Sequence, residues 1–327
     1  MVGSTHKTDS MKGIKVLVSQ TERLPFISDR SISFQRTYLP SEADRYDQTQ
    51  QLLADYDALL AINVRVDQGL LKNAHHLKII SNFGVGYDNV DMEIANKHGL
   101  VVTNTPTSTS KPTAVFTIAV MLSLLRRVTA TDRWLRSGQI TSFNDPVILG
   151  TSVHGKTLGI IGMGRIGKEV ARLAQSLGMR LIYYNRSRLL DEEFDVPSCE
   201  YVSLDALFRR ADVITIHTPL TSETRSLIDG TALKSMKPTA YLLNTARGGV
   251  VDYEALEKSL LNGQIAGAAI DVFPNEPNIP TGLRNMENVV LTPHNGTGTM
   301  EARQSMFEEA MQNIINFFEG KNISRVL

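Results

Sequence analysis

From Lys12 onward, short apolar runs rich in β-branched residues alternate with longer stretches of helical period. KVLVS at 15–19, ALLAI at 58–62, LKIIS at 77–81 and VVT at 101–103 form a first series. A second series follows Gly155, with LGII at 158–161, LIYY at 181–184, VITIH at 213–217, AYLLN at 240–244, AAIDV at 268–272 and VVLT at 289–292. Strands separated by helix-length segments imply parallel βαβ units. Runs that are apolar throughout, rather than alternating, suit a parallel sheet covered by helices on both faces. The six strands of the second series predict one complete doubly wound sheet. Between the two series, residues 113–128 read as a single apolar helix with Pro112 in its first turn, leaving the first domain for the second. Met306, Ala310, Ile314, Phe317 and Phe318 form a helical stripe stopped by Gly320, on a helix expected to return to the first domain. The expected fold class is α/β, with two doubly wound parallel-sheet domains.

One strand-to-helix turn carries recognisable chemistry. In LGIIGMGRIGKEVARLAQSLG, Gly162, Gly164 and Gly167 have G-x-G-x-x-G spacing. They follow a predicted strand and open a helix whose apolar face is Ile166, Val170, Leu173, Ala174 and Leu177, which is the context a dinucleotide-binding turn requires. The first glycine permits the tight turn, the second lets a pyrophosphate approach the backbone, and the third lets helix and strand pack closely. The amides of Arg165 and Ile166 lie at the positive end of that helix, where phosphate binds. About twenty residues after the first glycine, an NAD site presents an acidic side chain to the ribose 2′-hydroxyl. This chain has Asn185, Arg186, Ser187 and Arg188 there. The two arginines can pair with a 2′-phosphate, and Asn185 and Ser187 can donate hydrogen bonds to it. NADP is therefore the expected cofactor. NAD is the alternative if the arginines belong to a solvated loop neutralised by Asp191 and Glu192.

The 34 basic and 34 acidic residues balance, which argues against a nucleic-acid partner or an anionic membrane surface. A chain of 327 residues with 42% hydrophobic and 21% charged positions normally buries two medium cores or one large one. Cys199 is the single cysteine, so neither a disulfide framework nor a cysteine metal cluster can form, and a reduced cytoplasmic location is expected. The longest apolar run, 115–125, falls short of the ~20 residues of a membrane span. The opening MVGSTHKTDS has neither the apolar core of a secretory signal nor the arginines of a transit peptide, and residues 1–10 read as a disordered extension.

Three candidate reacting groups follow late strands, at the sheet edge where ligands bind in open α/β folds: Arg247 in NTARGG, Glu276 in DVFPNEP and His294 in LTPHNGTGT. Taken singly they are a surface arginine, a loop carboxylate and one of seven histidines. Together with GVGYDNVD at 84–91 and GMGRIG at 162–167, the segments NTARGGVVD at 244–252, AAIDVFPNEP at 268–277 and LTPHNGTGT at 291–299 resemble the D-isomer-specific 2-hydroxyacid dehydrogenase family over nearly the whole chain and in the family's order. That resemblance implies a Rossmann cofactor domain, residues 106–295, inserted in a flavodoxin-like substrate domain, residues 11–105 and 296–327. It implies Arg247 as the fork that orients the substrate carboxylate and polarises its carbonyl. It also implies amides at Val85 and Gly86 on the other carboxylate edge, and His294 as general acid, held and stabilised as imidazolium by Glu276. Asp271, Thr218, Pro219, Thr245 and Ala246 match positions that line the cofactor. The implied partner is a small 2-oxoacid of the glyoxylate, hydroxypyruvate or 2-ketogluconate class. A homodimer through the apolar region 114–134 is also implied. The resemblance extends to the C-terminal binding protein corepressors, in which cofactor binding controls assembly; a compact chain without a long disordered tail favours the enzyme.

Overall fold

A computed structural model describes residues 13–21, 35–40, 44–190 and 198–326. The extension expected at 1–10 lies outside the described residues, as do Asp191 and Glu192. The chain divides into two units, one drawn from 1–109 and 298–327 and the other from 110–297.

The first unit contains β1 (Lys15–Val18), β2 (Gln35–Tyr38), α1 (Arg45–Leu52), β3 (Ala58–Ala61), β4 (Ile79–Asn82), α2 (Met92–Lys97) and β5 (Val101–Thr103). Its strands form a parallel sheet in the order β2-β1-β3-β4-β5, the winding of flavodoxin-like domains. Because side chains alternate across a strand, Leu17, Leu59 and Ile80 feed one buried cluster while Val16, Val18, Leu60 and Ile79 feed the other. Both faces are covered, which is why these strands read as unbroken apolar runs.

The chain leaves this unit through α3 (Pro106–Leu125), followed by α4 (Val128–Arg136), β6 (Thr157–Ile161), α5 (Arg165–Ser176), β7 (Arg180–Tyr184), β8 (Cys199–Tyr201), α6 (Leu204–Arg210) and β9 (Val213–Ile216). Then come α7 (Gly230–Ser235), β10 (Tyr241–Asn244), α8 (Tyr253–Leu261), β11 (Gly267–Ile270) and β12 (Val289–Leu291). The order β12-β11-β10-β9-β6-β7-β8, parallel throughout, reverses direction at β6 and β9. The glycine-rich turn follows β6, at the switch point where doubly wound sheets bind nucleotides. The final helix, α9 (Met300–Phe318), packs Met306, Phe307, Ala310 and Ile314 onto the first unit's sheet, and Gly320 follows it at φ 68°.

Three sequence expectations are corrected. The linking helix does not begin at residue 113: it starts at Pro106, and Pro112 lies inside it. The Ser/Thr-rich start folds because Pro106 stands at the first helical position and the Glu309 carboxylate caps the next amides, accepting from Thr107 N (3.1 Å) and Ser108 N (2.8 Å). The helix ends at Leu125, and Arg127, at φ 56°, breaks the expected run to 128 before α4 begins. Second, the second sheet has seven strands, and β2 joins the first; both missed strands are short edges that make a single ladder. Third, at 20 residues α3 does reach bilayer-spanning length and apolarity; half of its most apolar window is buried in the protein, including Ala114, Met121 and Leu125.

Candidate active site

The glycine turn shows why each glycine is needed. Gly162 adopts φ 97°, and a Cβ there would stand 2.7 Å from the His217 carbonyl carbon. A Cβ on Gly167 would lie 2.3 Å from the Gly162 oxygen. At Gly164 the same construction meets no heavy atom within 4 Å among the described residues, so the space that a pyrophosphate would take is open. Gly164 caps α5 without a side-chain hydrogen bond, leaving the first-turn amides of Arg165 and Ile166 for an anion. The Thr218 hydroxyl, on the loop after β9, is buried with no hydrogen-bond partner among the described residues. An open cradle and an orphaned hydroxyl fit a dinucleotide. Before it, His217 bonds Thr215 Oγ1 at 2.9 Å, and burial pushes its pKa down to about 3, so this imidazole is neutral.

Just after β7, the Asn185 side-chain oxygen Oδ1 accepts from Met163 N at 2.6 Å, tying the end of that strand to the glycine turn. Arg186, Ser187 and Arg188 follow it, exposed. Glu223 stands near enough that the Arg186 charge helps hold its carboxyl below the ordinary range, after the larger effects of Thr221 and the loop amide. Pro219 begins that loop and accepts from the Thr224 hydroxyl at 2.6 Å.

Arg247, Glu276 and His294 follow β10, β11 and β12. His294 Nδ1 lies 2.8 Å from Glu276 Oε2, and Phe273 N donates to Oε1 at 3.0 Å. Burial raises the Glu276 carboxyl, but the His294 hydrogen bond, the Phe273 amide and the charges of His294 and Arg247 outweigh it and bring it below its ordinary value. His294 itself occupies the left-handed region at φ 52°. Its turn is built on Asp271, whose two oxygens accept from Asn295 N (2.8 Å) and Gly296 N (3.1 Å) and whose backbone oxygen accepts from His294 N (2.7 Å). Asp271 is 1% exposed, and burial raises its carboxyl despite those donors. The structure thus shows Asp271 as the anchor of the histidine turn, just beyond the end of β11 rather than within it.

The Arg247 turn has its own scaffold. The fully buried Asn244 accepts from Ala246 N (3.1 Å) and donates to the Arg247 carbonyl (2.9 Å), an Asx-type closure. Thr245 shares a hydroxyl hydrogen bond with Thr117 at 2.9 Å. Tyr253 donates to the Val272 carbonyl and packs on Phe273, bracing the strand end that leads to Glu276. The sequence reading missed Asn244, Tyr253 and Asp271's anchoring part. Asn244 alone had a signal, an Asn two residues ahead of the amide it bonds.

In the first unit, Gly84 at φ 145° opens the loop after β4. The Gly84 carbonyl accepts from Thr105 N (3.0 Å), Val85 from Asn104 Nδ2 (2.8 Å) and Gly86 from Asn82 Nδ2 (2.7 Å). Lys111 stands exposed on α3, and Asn295 is exposed too.

The family pattern described as "D-isomer specific 2-hydroxyacid dehydrogenase, NAD binding domain" matches residues 118–296. A glyoxylate reductase of Thermococcus litoralis is 44% identical over 272 residues, 82% of this chain and 82% of that protein. The crystal structure of a glyoxylate reductase from Paecilomyes thermophila superposes with TM-score 0.84 at 30% identity, covering 96% of this chain and 98% of that one. An NADPH-dependent glyoxylate/hydroxypyruvate reductase from Sinorhizobium meliloti, solved with NADP and malonate, gives TM-score 0.82 at 29% identity, with 96% of each chain covered.

Proposed function

Because this chain belongs to the D-isomer-specific 2-hydroxyacid dehydrogenase family, we propose that it reduces a small 2-oxoacid to the D-2-hydroxyacid, with NADPH preferred to NADH. The observation that carries this reading is the His294–Glu276 pair, 2.8 Å apart, with the carboxylate's second oxygen fixed by Phe273 N. With Nδ1 engaged by the carboxylate, Nε2 is the nitrogen that gives its proton to the substrate carbonyl oxygen. The adjacent carboxylate stabilises the imidazolium until that transfer, and in the oxidative direction the same nitrogen takes the proton back. Arg247 presents a planar fork for the carboxylate and carbonyl oxygen. The amides of Val85 and Gly86 hold the other carboxylate edge. The bound nicotinamide, when reduced, supplies the hydride.

The residues assigned to the cofactor are Gly162, Gly164, Arg165, Ile166 and Gly167 for the pyrophosphate, and Asn185, Arg186, Ser187 and Arg188 for the ribose and its 2′-phosphate. Thr218, Pro219, Thr245, Ala246 and Asp271 line or support the remainder. The open space at Gly164 and the orphaned Thr218 hydroxyl support this assignment. For NADP the support is the exposed Arg186 and Arg188 in place of an acid, partly offset by Glu223. Among substrates, glyoxylate ranks first because the named relatives are glyoxylate reductases; hydroxypyruvate and 2-ketogluconate follow. Domain roles follow the same reading: cofactor binding by 106–295, substrate binding by 11–105 and 296–327. Exposed Val115 (59%) and Val128 (54%) support a homodimer through 114–134. The balanced charge and single cysteine support a cytoplasmic enzyme without nucleic-acid or membrane partners.

The test is oxidation of NADPH and of NADH, followed by reduced-nicotinamide absorbance, with glyoxylate, hydroxypyruvate, 2-ketogluconate, pyruvate and phenylpyruvate. His294→Ala is the control. Turnover with NADPH that the variant loses supports the proposal. Cofactor binding without turnover of any 2-oxoacid refutes it.

A further inference from the structure

The loop 84–87 holds three successive peptide planes in fixed orientation. In a trans peptide, the carbonyl of one residue and the N–H of the next point in opposite directions. Gripping a carbonyl therefore aims the following N–H. Three successive planes are gripped here at their carbonyl edges: Gly84 by Thr105 N at 3.0 Å, Val85 by Asn104 Nδ2 at 2.8 Å, and Gly86 by Asn82 Nδ2 at 2.7 Å. The N–H groups turned the other way belong to Val85, Gly86 and Tyr87. None of the three has a partner among the described residues, and all three residues are only partly buried. Backbone donors are seldom left unmatched except where water or a ligand takes them, and successive free amides form a concave anion site.

The grips are themselves braced. Asn82 is 3% exposed, and its oxygen accepts from Asn89 Nδ2 at 3.0 Å, while Asn89 also reaches the Val64 carbonyl at 2.9 Å. Asn104 is fixed through its backbone oxygen, which accepts from Asn313 Nδ2 on α9 at 2.9 Å. The loop also closes in the other sense, since Gly84 N donates to Thr105 Oγ1 at 3.0 Å. This architecture holds amides in place before any ligand arrives, so a ligand need not bear the cost of ordering them.

We propose that Asn82 and Asn104 are positioning residues for substrate binding: by holding the Gly86 and Val85 carbonyls, they aim the amides of Val85, Gly86 and Tyr87 as a nest for the carboxylate of the 2-oxoacid. The donors are backbone amides throughout, which suits a singly charged carboxylate. This inference rests on the 2-oxoacid reductase reading, and adds to it Tyr87 as a third donor and two asparagines that never touch the substrate.

The test uses the full chain with NADPH, glyoxylate as substrate and oxamate as a carboxylate competitor. Asn104→Ala raises the KM for glyoxylate and the inhibition constant of oxamate together, each by about tenfold, the factor corresponding to one lost grip. The kcat and the KM for NADPH stay within about twofold, a split that general structural damage does not produce. Asn104→Gln, which keeps the amide donor, recovers part of the loss. Asn82→Ala repeats the pattern. Unchanged KM and oxamate inhibition in Asn104→Ala, or a fall in kcat alone, overturns the proposal. Should that variant fail to fold, the wild-type protein decides: oxamate added to the cofactor-loaded enzyme shifts the backbone amide resonances of Val85, Gly86 and Tyr87, and no shift at these three refutes the nest. If wild-type enzyme turns over no 2-oxoacid, the functional reading fails, and the amide resonances still report on the nest separately.

Discussion

Replacing Glu276 by Gln tests the acid–carboxylate pair with a nearly isosteric change. The glutamate uses both oxygens, one for His294 Nδ1 at 2.8 Å and one for Phe273 N at 3.0 Å. Glutamine has one oxygen and one NH2, so whichever donor it satisfies, its NH2 confronts the other. One hydrogen bond is lost, and a charge-assisted one becomes neutral. Hydrogen bonds to charged groups contribute about 1.5–3 kcal/mol. Here the side chains are 48% and 36% exposed, so solvent screens the pair and about 1–2 kcal/mol is the expected loss. On kcat/KM for the 2-oxoacid that is roughly a 5- to 30-fold decrease. The same pair is linked to stability. The Glu276 carboxyl lies below its ordinary value in the folded protein, so its contribution is present above the unfolded-state value and is lost as pH falls through the folded one. The difference in Tm between wild type and variant therefore shrinks in acid. Steady-state kinetics across pH and thermal melts make the measurement. Wild-type kcat/KM in the variant, with a Tm difference that does not shrink in acid, would refute the role given to Glu276.

The remaining predictions concern the scaffold and the cofactor. Glu309→Gln weakens the cap on α3, where the carboxylate accepts from Thr107 N, Ser108 N and Ser108 Oγ at 3.1, 2.8 and 2.5 Å. The expected loss is about 1–2 kcal/mol, seen as a Tm lower by a few degrees with kcat retained; an unchanged melt contradicts the cap. Gly248→Ala puts a Cβ 2.1 Å from the Phe273 carbonyl carbon, backbone against backbone. It costs at least about 2–3 kcal/mol and disturbs the adjacent Arg247 turn, so both Tm and turnover fall. Arg186→Ala combined with Arg188→Ala raises the KM for NADPH by about 10- to 100-fold while leaving that for NADH within a few-fold. Equal effects on the two cofactors would show that the arginines do not read the 2′-phosphate.

The strands were legible in the sequence because a parallel sheet buried on both faces writes itself as unbroken apolar runs, as at 58–61 and 241–244. The edges were not: Gln35–Tyr38 and Cys199–Tyr201 each pair on one side only and need no such run. The start of α3 was hidden for a different reason. Its Ser/Thr-rich first turns are weak helix formers whose stability comes from Glu309, a residue some two hundred positions away. Local pattern cannot carry such a contact. The candidate reacting side chains were legible as members of motifs. What holds them was less so, because Asn244, Asp271 and Tyr253 act through bonds to backbone, and a backbone partner leaves no mark on the sequence.

That difference explains how the candidate reacting groups are kept in place. His294 is a non-glycine residue at φ 52°, a conformation that costs on the order of 1 kcal/mol and persists only where its surroundings impose it. Three bonds impose it, all ending on Asp271: His294 N to its backbone oxygen, and the Asn295 and Gly296 amides to its carboxylate. A buried carboxylate is an expensive anchor, as the upward push on its titration shows, but it accepts two amides at once where an asparagine oxygen would set its NH2 against one of them. Arg247 is held on the same principle, with Asn244 closing its turn in both directions. In each case a buried polar residue fixes backbone, and the backbone aims a candidate reacting side chain that itself stays solvent-accessible. The loop at 84–87 takes this one step further, since there the aimed backbone amides are the proposed binding groups.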